Sequence, residues 1–215
     1  MLRRILQELA EAAPLALLVG AVIGTAMVGL LTDTVGESSN ESLEALVLGS
    51  LQVVTPVGVS LIWICRCAPL RLAAAVRRHL DRASGRTAVS RGWRGQEAEV
   101  AGAGCSAMLL VPWFEVGLLL GGLLATPRAG LGFSSELQEL IRLMPVSDLL
   151  RCFLRAAVFT AAAQWVCLRK AAQVKGSEGE LARLLADALP ESLLVVMGLA
   201  VIWLTLLVPL HGTYA

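Results

Sequence analysis

The chain has 215 residues, of which 56% are hydrophobic and 16% charged, with a mean hydropathy of +0.72. Soluble globular domains carry about 25% charged residues, so this balance excludes a free-standing soluble domain. The formal net charge of +1 gives no bulk basic surface for a nucleic-acid partner.

In chain order, the first element is "MLRRILQELAEAA". Leu2, Ile5, Leu6 and Leu9 share one helical face, with Arg3, Arg4, Gln7 and Glu8 opposite. That pattern predicts a short amphipathic helix over residues 1–13 lying on a membrane surface. No small-residue cleavage site follows, so the segment reads as retained and not as a signal peptide.

A membrane span needs about 20 mostly apolar residues. Five stretches qualify: 14–32, 46–65, 100–126, 146–168 and 193–210. The third contains Pro112 and Glu115, which predicts a kink or a part outside the lipid. The expected fold is all-α: a polytopic membrane protein of five transmembrane helices in a single domain over 1–215. An N-terminal interfacial helix and a cytoplasmic helix are added to it.

Orientation follows the distribution of Lys and Arg. Residues 33–45 hold Asp33, Glu37, Glu41 and Glu44 with no basic residue. The connection 66–99 holds Arg66, Arg71, Arg77, Arg78, Arg82, Arg86, Arg91 and Arg94. Between the third and fourth spans, Arg128 and Arg142 are offset by Glu136 and Glu139. Arg169, Lys170, Lys175 and Arg183 follow the fourth span. This alternation predicts an N-terminus inside and a C-terminus outside.

Within the basic connection, Leu72, Val76 and Leu80 recur at four-residue spacing, flanked by Arg71, Arg77, Arg78 and Arg82. This predicts a cytoplasmic amphipathic helix. Pattern alone leaves two readings: a basic segment on anionic lipid, or a helix that docks a partner.

Two features carry charge into apolar spans. Glu115 lies in the third, and an intramembrane carboxylate marks a functional site or a polar cavity near a helix end. Arg151 and Arg155 stand one turn apart in the fourth, where like charges repel. At about 1.5 Å per residue, Arg155 is roughly 13 Å along the helix from Val146. Arginine grips a phosphate through parallel hydrogen bonds. Arg151 and Arg155, with Asp148 and Glu115, therefore form a candidate lipid-binding set that holds a phospholipid headgroup. The alternative is structural: both arginines snorkel to the interface or pair with Asp148 and Glu115.

Other chemistries find no support in the sequence. No phosphate-cradling GxxxxGK[ST] motif occurs, and the histidines, His79 and His211, fall on opposite sides of the expected topology. "CRC" has the wrong spacing for a zinc half-site, so no metal or cofactor is expected. The cysteines Cys65, Cys67, Cys105, Cys152 and Cys167 read as small apolar residues. "GAVIG" is a GxxxG pattern that permits close helix packing.

The order of features from Asp148 onward resembles the MlaE (YrbE) permease family, the membrane subunits of MCE-type lipid ABC transporters. Asp148, Arg155, Phe159, Cys167, Gly176 and Ser192 stand at the family's positions. Upstream, Pro56, Arg66 after Cys65, and Leu120, Gly121 and Gly122 also match, so the resemblance spans about residues 10–210. The chain departs from the family at Val53 and Ala200, where the family has acidic residues. It also departs at "AAVRRHLDRASGRTAV", which replaces an acidic coupling segment.

The resemblance implies a non-enzymatic transport subunit in a bacterial inner membrane, working as a homodimer or heterodimer of permeases. It implies a cytoplasmic ABC ATPase, and the amphipathic pattern predicts that the cytoplasmic helix docks it through Leu72, Val76 and Leu80, with Arg77, Arg78 and Arg82 facing acidic residues of the partner. It also implies an MCE-domain partner outside and phospholipid as cargo. The second reading is a degenerate, non-transporting membrane scaffold of such a complex. An intramembrane enzyme is disfavoured because no catalytic set assembles at one depth.

Overall fold

The computed structural model describes residues 2–35, 49–83, 93–125, 145–173 and 180–207. The acidic segment after the first span from residue 36 on, the part of the basic connection around Arg86, the stretch with Arg128 and Arg142, and Gly176 all lie outside these residues. So does the C-terminal end of the fifth expected span.

Among the described residues every secondary-structure element is a helix. Helix α1 is Leu2–Val35. A π-helical segment, Ser50–Val54, runs directly into α2, Thr55–Arg66, with Pro56, which has no N–H to donate to the preceding turn, near its start. Helix α3 is Ala68–Ala83, α4 is Trp93–Ala125, α5 is Val146–Ala171 and α6 is Glu180–Ile202. A second π-helical segment, Trp203–Leu207, continues α6.

The interfacial helix and first span expected at 1–13 and 14–32 are one continuous helix of 34 residues, with Pro14 inside it. At about 1.5 Å per residue it is about 51 Å long, well beyond a hydrocarbon core of about 30 Å. Its first turns are anchored by protein: Glu8 pairs with Arg71 of α3 at 2.6 Å.

Among the described residues, three helices are long and apolar enough to cross a membrane: Ile5–Leu30, Gln96–Ala125 and Arg183–Thr205. The pair Ser50–Arg66 and Ala68–Asp81, bent by 50°, makes a fourth if it is one broken span. Helix α5, the expected fourth span, is not in that set, because Asp148, Arg151, Arg155 and Gln164 dilute its apolar run.

Helix α1 lies along α4, α4 along α5, and α5 along α6, while α2 packs against α4, α5 and α6. The α1–α4 contact is made by facing glycines. A Cβ on Gly20 would strike the Phe114 carbonyl, and one on Gly24 the Leu118 carbonyl. In return, Gly117 meets the Leu17 carbonyl and Gly121 the Ala21 carbonyl. Two GxxxG patterns interlock, so the backbones approach as only small residues allow. Thr25 Oγ1 crosses the seam to the Gly121 carbonyl at 3.1 Å.

Helix α3 corrects one expectation. Leu72 and Val76 are buried, and Leu80 packs against the same core. The stripe read as a docking face is thus covered by this chain's own helices. The outward residues of α3 are Leu70 and Arg77, and Arg66 at the end of α2 is exposed beside them. Arg78 holds Glu99 of α4 through both guanidinium nitrogens, Nη2 to Oε2 at 2.9 Å. The side chain of Arg82 lies outside the described residues.

Candidate functional site

Helix α5 turns Cys152, Arg155, Ala156 and Phe159 inward. Arg155 is the one cation on that face, and it is 9% exposed. Its Nη1 donates to the Gln52 carbonyl at 2.6 Å. Gln52 lies in the π-helical segment Ser50–Val54, and such segments often sit at functional sites. The guanidinium carbon stands 4.8 Å from the centre of the Trp203 ring, a cation–π contact. Trp203 opens the second π-helical segment. Arg155 therefore joins the two π-helical segments of the described chain. Its Nε is buried and has no hydrogen-bond partner among the described residues.

Glu115 of α4 is 4% exposed. Its Oε1 accepts a 2.5 Å hydrogen bond from the Thr55 hydroxyl. Its Oε2 is buried with no partner among the described residues. Gln52 and Thr55 are three residues apart, so the partners of Arg155 and Glu115 occupy neighbouring turns of one continuous helical segment.

The polar line continues along α5. Thr160 and Ser60 share a hydrogen bond of 3.1 Å. Gln164 is fully buried, and neither its amide nitrogen nor its oxygen has a partner among the described residues. Unpaired polar groups inside a bundle cost about 1–3 kcal/mol each, so Arg155, Glu115 and Gln164 form a costly cluster.

The four residues read from the sequence divide. Arg155 and Glu115 are drawn inward beside one helix. Arg151 is exposed and pairs with Asp148 at 3.4 Å, one turn away on its own helix. The two arginines therefore do not face one interior site. Gln52, Thr55, Gln164 and Trp203 were missed. Gln164 carried a signal, a polar side chain inside an apolar run. The role of Trp203 depends on a contact 48 positions away in sequence and had none.

A second cluster sits where α1, α3 and α4 meet. Arg71 donates from Nε and Nη2 to the Glu8 carboxylate at 2.8 and 2.6 Å, and from Nη1 to the Glu99 carbonyl at 2.9 Å. It also stacks over Trp63 at 5.3 Å. Trp63 in turn donates to Ser106 at 3.0 Å. A shallow pocket between α3, α4 and α5 is lined by Ala75, Arg78, His79, Gln96, Glu99 and Leu168.

Residues 99–206, half of the chain, match the family described as Permease MlaE. The matched stretch contains Glu115, Arg155, Gln164 and Trp203. A search of curated proteins returned no match.

Proposed function

This chain belongs to the MlaE permease family, which supports a membrane permease subunit of a lipid transporter; from that premise we propose that Arg155 holds the phosphate of a phospholipid in transit. The observation that carries this reading is the guanidinium itself. One nitrogen is fixed by the Gln52 carbonyl and one face by Trp203, while Nε is buried and has no hydrogen-bond partner among the described residues. A guanidinium pinned in that way presents its remaining edge in the fork geometry that fits phosphate oxygens.

In this proposal the chain is one permease domain of five crossings in a bacterial inner membrane, with its N-terminus inside and C-terminus outside. It works as a dimer of permeases with a cytoplasmic ABC ATPase and an extracytoplasmic MCE-domain protein. Glu115 completes the lipid site. Arg151 and Asp148, which are exposed, form its rim. Helix α3 meets the ATPase through Leu70 and Arg77, with Arg66 at the end of α2 and Arg78 and Arg82 of α3 beside them. Its apolar stripe of Leu72, Val76 and Leu80 holds the helix to the bundle.

The test replaces Arg155 by Gln and, separately, by Lys. In the purified complex, Arg155→Gln is expected to lose most co-purifying phospholipid and the lipid-stimulated part of ATP hydrolysis. Arg155→Lys keeps the charge without the fork and is expected to fall between. Wild-type lipid content and wild-type stimulation in both variants refute the phosphate role. Absence of any ATPase from a gently solubilised complex favours the scaffold reading.

A further inference from the structure

Among the described residues, the buried site carries two atoms of opposite character without a hydrogen-bond partner. Arg155 Nε is a donor on a cation, and Glu115 Oε2 is an acceptor on a carboxylate. Both side chains are more than nine-tenths buried. Their other bonds go to Gln52 and Thr55, one helical turn apart, which is about 4.5 Å along the axis. They have not neutralised each other: Arg155 spends its bond on a backbone carbonyl, and Glu115 spends its bond on a hydroxyl. A neutral hydroxyl leaves the charge of a buried carboxylate uncompensated, which is costly in a low-dielectric bundle.

A single ligand satisfies both atoms only if it carries an anion and a hydrogen-donating cation close together. We infer that the site selects phospholipids whose headgroup bears a primary ammonium, with the phosphate on the Nε edge of Arg155 and the ammonium donating to Glu115 Oε2. This rests on Arg155 holding a phosphate, and it adds the chemistry of the headgroup. An ammonium has three N–H donors. A trimethylated nitrogen has none, so choline lipids leave Oε2 without its bond. A glycerol headgroup offers hydroxyls but no positive charge, and its lipid brings net negative charge beside Glu115.

The experiment uses the full chain with the subunits that co-purify, reconstituted in nanodiscs of equal parts phosphatidylethanolamine, phosphatidylglycerol and phosphatidylcholine. Tightly held lipid is extracted after detergent exchange and weighed by mass spectrometry. A hydrogen bond to a charged group is worth about 1.5–3 kcal/mol, so ethanolamine lipid is expected about tenfold enriched over both others. Glu115→Gln is expected to level that ratio. Because the enrichment is read on the wild-type protein, a folding failure of that variant does not remove the test. Equal retention of the three lipids by wild-type protein, or choline lipid held as tightly as ethanolamine lipid, overturns the inference. If lipid retention nonetheless falls in Arg155→Gln, the phosphate reading stands alone. If retention does not depend on Arg155, both fail. Free phosphoethanolamine serves as the soluble arm. It is expected not to displace the lipid, and displacement at equal concentration overturns the lipid as the source of the headgroup.

Discussion

Three arginines show how burial decides the work of one side-chain type. Arg151 is exposed, and its bond to Asp148 is a surface pair, worth about 0–1 kcal/mol. Arg155 is buried with part of its hydrogen bonding unspent. Arg71 is buried with its bonds to Glu8 and Glu99 made in good geometry. Removing one partner of a buried pair costs about 3–5 kcal/mol, mostly by stranding the other charge. Arg71→Gln is therefore expected to lower the thermal unfolding midpoint of the detergent-purified protein clearly. Arg151→Gln is expected to leave it within error. If both shift it equally, the Glu8–Arg71 pair does not fasten α1 to α3. The sequence showed every one of these charges, but not the depth that separates their roles. Positions 151 and 155 share a helix face by spacing, and only the contact with Gln52 draws the second one inward.

The long apolar stretches of the elements were legible because α1, α4 and α6 need nothing but length and hydropathy to declare themselves. Their pairing was less so. "GAVIG" announced a close contact, but its partner, Gly117 and Gly121 of α4, became visible only when the two helices were side by side. For α3 the period of the stripe was read correctly and its direction was not, since an amphipathic pattern says that one face is covered without saying by what. In the structure the cover is this chain's own bundle, with Leu72 at 1% exposure and Leu70 at 60%. That difference separates folding from docking. Leu72→Asp buries a charge and is expected to yield aggregated protein. Leu70→Asp with Arg77→Glu is expected to give well-folded permease that no longer retains the ATPase on purification. A double variant that still brings the ATPase down moves the contact elsewhere.

At the scale of the whole molecule, the number of crossings turns on α5. Composition alone admits three spans, or four with the bent pair, and the charges of α5 keep it out of that count. Packing argues the other way. Helix α5 lies between α4 and α6 and also contacts α2, and its 26 residues reach about 39 Å, enough to cross about 30 Å of hydrocarbon. Its polar residues are tolerable there because Arg155, Thr160 and Gln164 point into the bundle, while Leu150, Leu154, Val158 and Trp165 point out. In the proposed topology the first half of the bent pair, Ser50–Arg66, crosses once, and Arg66, Arg77 and Arg78 follow on the cytoplasmic side in keeping with the basic bias. With α1, α4, α5 and α6 this topology has five crossings, an odd number, which puts the two termini on opposite sides. Periplasm-active and cytoplasm-active reporters fused after Ala215 are expected to signal outside only, and the same pair inserted at Gly85 to signal inside only. An inside signal at Ala215 with Gly85 also inside means that α5 and α6 do not both cross. The inward polar face of α5 would then be closed off from the lipid path that the Arg155 site requires.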